Sequence, residues 1–149
     1  MFEEFSCNLL ELVQGFVCIE RNCITETSEI DLVFENRLES WQHKIPLGYF
    51  IVQSKNQEKT TDINAVTHLC SELRIRALQI GILITSNKVS ENGRIRIAQH
   101  FLRDNYLILV IDENDLDNVF DETKRIENIL SAKEYELRFN QRIALNTPE

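Results

Sequence analysis

The sequence predicts an α/β fold, a central mixed sheet flanked by helices, and three observations predict it. Glu29–Glu35 and Gly48–Asn56 are rich in β-branched and aromatic residues and read as strands. Gln79–Thr85 and Tyr106–Ile111 are continuous apolar runs of the kind found in strands covered on both faces. Between these two runs lies a segment to about Asp104 that Ser90 can cap as a helix, and a helix between two such strands marks a right-handed parallel crossover.

The elements follow in order. Phe2, Phe5, Leu9, Leu12 and Val13 recur at helical spacing, so an amphipathic helix is expected from Phe2 to about Val13, ending near Gly15. Phe16–Ile19 reads as a first short strand, and the polar turn Thr25–Ser28 leads back into the second, giving a hairpin. Asn36–Gly48 has a Pro-x-Gly breaker and no period and reads as an insertion, with Trp41 expected to anchor it against the core. After the third strand comes a loop in which Thr60 or Thr61 is the expected cap of a helix buried through Ile63, Val66, Leu69, Cys70 and Leu73. A short acidic helix beginning at Asp112 ends near Phe120. The last helix, Glu122 to about Phe139, carries Ile126, Ile129, Leu130, Lys133 and Leu137 at near-heptad spacing. It can pack on the domain, pair with another chain, or lead into more protein. A chain of 149 residues holds one domain with a real core, expected over residues 1–121 and followed by a helical extension and tail over 122–149.

Composition removes several function classes. No run approaches the roughly 18 apolar residues that span a bilayer, and the acidic start Met1–Glu4 lacks a signal peptide's basic region, so a soluble cytoplasmic protein without a membrane partner is expected. Cys7, Cys18, Cys23 and Cys70 form no Cys-x-x-Cys pair and read as reduced thiols, not a zinc site. His68 and Cys70, two apart on a helix, point in different directions and are not expected to share a ligand. A net charge of -8 argues against binding nucleic acid by bulk attraction, so any such contact must be local. Lys88, Arg94, Arg96 and Arg103 leave room for one basic face.

The chemistry concentrates where the second and third strands carry polar groups. Asp31 lies inside one apolar run, and Gln53 and Lys55 end the other, where the two-residue period gives them one face and gives Phe50, Val52 and Ser54 the opposite face. Such groups are tolerated near a core only when paired, hydrogen-bonded or bound to an ion. Two readings stand: a structural Asp31–Lys55 ion pair with Gln53 bonded to backbone, or a site in which Asp31 and Gln53 offer oxygens to a metal and Lys55 faces a phosphate.

Phe2-Glu3 at a helix start, Ile30-Asp31-Leu32-Val33 on the second strand and Val52-Gln53-Ser54-Lys55 on the third resemble the PD-(D/E)xK nuclease superfamily, and more narrowly the Mrr-type restriction endonucleases. Gly81–Ser86 and Tyr106–Asp112 are similar to that family's last two core strands, so the likeness covers roughly residues 2 to 120. The resemblance implies a restriction-endonuclease-like fold, an αβββαβ core plus a further αβα, and a metal-dependent endonuclease that hydrolyses DNA phosphodiester bonds in restriction or anti-phage defence. It implies Mg2+, with Mn2+ as a substitute, held by Asp31, the Gln53 side chain and the Ser54 backbone carbonyl. It implies that Lys55 stabilises the phosphoryl group or the attacking water, and that Glu3 orients a water from the first helix. Glu4 competes with Glu3, since adjacent helical residues point about 100° apart. Glu29 shares Asp31's strand face as an auxiliary ligand or an exposed acid. The competing functions are a nuclease-like module that binds nucleic acid or protein without cutting, and an assembly module joining a homo-oligomer or a larger defence complex through the last helix.

Overall fold

The framework is a single sheet of apolar strands with buried side chains on both faces. In the computed structural model, which describes residues 2–24, 29–37 and 48–139, β1 (Phe16–Ile24), β2 (Glu29–Asn36), β3 (Gly48–Lys55), β4 (Ile80–Thr85) and β5 (Leu107–Ile111) form one sheet in chain order. β1 pairs antiparallel with β2 and β2 with β3, whereas β3–β4 and β4–β5 are parallel, so the sheet is mixed as expected. The parallel steps are bridged by α2 (Ile63–Ile75) and α3 (Glu91–Asp104). Every residue of β4 is buried, as its unbroken apolar run requires.

Strand alternation divides the core into two layers. Phe50, Val52, Ile82, Ile84, Leu109 and Ile111 face α1 (Phe2–Leu10), α4 (Glu113–Phe120) and α5 (Ile126–Phe139). Ile51, Leu83 and Ile108 face α2 and α3. On the first side Cys7, Leu9 and Leu10 of α1 are buried, and so are Ile126, Ile129 and Leu130 of α5. On the second, Leu69 of α2 lies so close to Gly81 that a Cβ at that position would be 3.1 Å from Leu69 Cγ, and the absent side chain lets the helix seat on β4.

Local expectations hold at some ends and fail at others. Ser90 caps α3, accepting from the Gly93 N–H, and Asp112 and Asp115 form a reciprocal capping box on α4. α2, however, is capped by Asp62, which accepts from the Asn64 N–H. Thr61, one of the expected caps, is buried and commits its hydroxyl to that of Thr85 at 2.7 Å. α1 stops at Leu10, not near Val13, because the chain turns through Glu11–Gly15 to enter β1, with Gly15 at φ 94°. Val13 still reaches the core, but Leu12 is 67% exposed. β1 runs past Ile19 to Ile24 because its ladder with β2 continues to Ile24–Glu29, around a bulge between Cys18 and Glu20. The expected turn Thr25–Ser28, most of the insertion with Trp41, the Glu29 side chain and the tail beyond Phe139 lie outside the described residues.

Candidate active site

The site begins where two paired strands part. The β2–β3 ladder runs from Asn36–Gly48 to Leu32–Val52, and Asp31 and Gln53 are the next residues beyond that last pair. β3 stays paired with β4 as far as Lys55–Thr85, so its end is held on one side only. Asp31, Gln53, Ser54 and Lys55, with Glu3 from α1 and His68 from α2, line a cavity of about 450 Å³. All the residues that the sequence nominates for catalysis therefore meet in one place. Glu3 lines the cavity, and its neighbour Glu4 is exposed.

Asp31 is 8% and Gln53 7% exposed, so both have given up most of their hydration. The Ser54 backbone N–H donates to Asp31 Oδ2 at 2.7 Å, which fixes the carboxylate against β3. Ser54 Oγ donates to Ser6 Oγ of α1 at 3.0 Å, on the face opposite Gln53. Gln53 Oε1 is buried and has no hydrogen-bond partner among the described residues. A buried carbonyl left so costs free energy that a bound cation or donor would recover.

These donors fit a hard divalent cation. Mg2+ takes oxygen ligands, keeps several waters and needs only one or two carboxylates from a protein. A carboxylate fixed beside an unpartnered amide oxygen matches that demand. Among the described residues no group of three His, Cys, Asp or Glu side chains could hold a metal, so the thiol- and imidazole-rich sets typical of structural zinc are not found there. Burial pushes the Cys70 thiol up to about 12, with Asp104 adding to it. Burial and then Cys18 push Cys7 up to about 12. Neither is a thiolate near neutral pH, and neither lines the cavity.

Two members of the site escape the sequence reading. Ser6 is fully buried behind Ser54, and only its helical offset from Glu3 hints that α1 turns both toward one region. In the sequence His68 stands out only for its closeness to Cys70, two residues away on the same helix. The signal that finds it is its position beside Leu69 on the helix that follows the Lys55 strand.

Residues 1–120 match the family model of the Mrr restriction endonucleases. The chain belongs to this family. Solved structures similar to this Mrr-type chain include the DNA modification-dependent restriction endonuclease AspBHI, with a TM-score of 0.60 and 15% identity over 93% of this chain and 35% of that one. MspJI restriction endonuclease in complex with a 27-mer oligonucleotide matches with a TM-score of 0.55 and 16% identity, covering 91% of this chain and 31% of that one. An EndoMS–dsDNA complex matches with a TM-score of 0.51 and 12% identity over 74% and 42%. At these identities the likeness is one of fold, and it establishes the Mrr chain as restriction-endonuclease-like in architecture. The chain spans less than half the length of each of these proteins. No curated protein matches it. Among the described residues no helix is long and apolar enough to cross a membrane.

Proposed function

We propose that this chain is the catalytic domain of a metal-dependent DNA endonuclease, with residues 1–121 as the nuclease unit and a role in restriction or anti-phage defence. The observation that carries the reading is the buried, unpartnered Gln53 Oε1 beside Asp31, in a cavity that also holds Lys55. Asp31, Gln53 and the Ser54 backbone carbonyl would hold Mg2+, or Mn2+ in its place. The bound ion supplies an acidified water and neutralises charge on the phosphate.

The chain's own residues account for the rest. The Ser54 N–H keeps the Asp31 carboxylate in one orientation. Lys55, a compact ammonium at the open end of β3, faces the phosphoryl oxygens on which charge grows as water adds to phosphorus. Glu3 accepts a hydrogen bond from the attacking water and orients it from the α1 side. The net charge of -8 means that DNA is held locally at this cavity or by other parts of a larger assembly.

The test is to incubate the full chain with plasmid DNA, with and without magnesium or manganese, beside Lys55→Ala. Nicking that requires the metal and is lost in the variant supports the reading. Cutting that persists in the variant removes Lys55 from the chemistry. No cutting, together with equal magnesium binding by wild type and Asp31→Ala in calorimetry, favours a non-catalytic nuclease-like module.

A further inference from the structure

His68 lines the cavity but has no part in the reading above. The helices that bring Glu3 and His68 there come from opposite sides of the sheet. Glu3 belongs to α1, whose Cys7, Leu9 and Leu10 pack in the layer of Phe50 and Val52. His68 belongs to α2, whose Val66, Leu69 and Leu73 pack in the layer of Ile51 and Leu83. The cavity at the end of β3 is thus reached by a carboxylate from one layer and an imidazole from the other. α2 is a firm mount, because Asp62 caps it and Leu69, the residue next to His68, is seated over Gly81. His68 itself is exposed.

In an in-line displacement the entering and leaving oxygens lie on opposite sides of phosphorus. A site whose water-orienting carboxylate comes from one wall has its leaving oxygen toward the other. We infer that His68 donates an imidazole N–H hydrogen bond to the leaving oxygen of the scissile phosphodiester, an assignment that rests on the nuclease reading and deepens it. The water oxygen bonds to phosphorus and the phosphorus–bridging-oxygen bond breaks, its electron pair staying with the departing oxygen. The attacking water releases one proton to solvent, and the departing oxygen takes one from solvent. The His68 N–H stabilises the charge that grows on that oxygen before it is protonated. Lys55, on β3, serves the non-bridging oxygens.

The test uses the full chain, magnesium and a duplex oligonucleotide, with the linkage that wild type cuts made in three forms: all-oxygen, 3′-bridging sulfur and 5′-bridging sulfur. A thiolate leaves without such a donor. His68→Ala is expected to lower kcat on the all-oxygen duplex by about 10²–10³-fold, the usual effect of removing one such donor, with KM unchanged. His68→Gln, which keeps an N–H, recovers much of the rate. On one of the two sulfur substrates His68→Ala equals wild type, and which one identifies the bond that breaks, whereas Lys55→Ala is slow on all three. Equal losses on oxygen and both sulfur substrates, or no loss at all, overturn the inference while leaving the nuclease reading intact. A wild type that cuts none of the three overturns the nuclease reading and this inference with it.

Discussion

The two halves of β3 share one strand and answer to different demands. Phe50, Ile51 and Val52 are paired with β2, fully or nearly fully buried, and packed against helices on both faces. Among the described residues, Gln53, Ser54 and Lys55 keep only β4 as a strand partner, and all three line the cavity. The first half is held by apolar area and is bland in chemistry. The second places a buried amide oxygen that no described residue satisfies. The pairing of β3 with β4 carries the rigidity of the first half into the second, and this is how a polar site is positioned without being stabilised for its own sake.

Breaking the first half should give the largest effect. Phe50 is 1% exposed and its ring lies 4.9 Å from that of Phe16 and 5.5 Å from that of Phe34. Phe50→Ala removes that stack and leaves a cavity, so urea denaturation should show a loss of about 3–5 kcal/mol. Lys55→Ala, five residues further on, should leave the midpoint nearly unchanged while abolishing cleavage. An equal loss of stability in both variants would mean that the strand is not divided as described.

Gln53 sharpens the contrast, because its effect on stability should have the opposite sign. Gln53→Leu removes the unpartnered acceptor and keeps most of the volume, so it should raise stability in metal-free buffer by about 1 kcal/mol. The same change should abolish magnesium binding in calorimetry. Gln53→Glu restores a formal negative charge and should tighten magnesium binding in the free protein. A Gln53→Leu variant that is less stable than wild type would show that the amide is satisfied within the fold and has no need of an ion.

The same division decides how much was legible in the sequence. The apolar runs of β4 and β5 and the Ser90 cap could be read directly, because burial on both faces and a single side-chain hydrogen bond leave local marks. Asp31, Gln53 and Lys55 were legible because each violates the apolar pattern of its strand. The sequence points to Thr60 or Thr61 for the cap of α2, but Thr61 is taken by Thr85, a partner 24 residues away that no local pattern announces. The end of α1 is hidden for a related reason: Leu12 continues the helical spacing, but the chain must turn there to start β1. Ser6 and His68 obey the patterns of their own helices, so only the tertiary arrangement shows that they reach the region where β3 ends.

Ser54 lies on the boundary between the halves and gives the smallest but most selective test. Its side chain belongs to the structural half, through the 3.0 Å bond to buried Ser6. Its backbone belongs to the site, through the 2.7 Å bond to Asp31. Ser54→Ala deletes only the first, so stability should fall by about 1 kcal/mol, the ordinary worth of one hydrogen bond whose buried partner is left alone. The N–H that orients Asp31 survives the substitution. Magnesium affinity and the rate of cleavage should therefore stay at wild-type values, as measured by calorimetry and plasmid nicking. A fall of about tenfold in affinity, worth about 1.4 kcal/mol, would mean that the Ser6–Ser54 tie sets the position of the metal oxygens, and the two halves of the strand would then be coupled through α1.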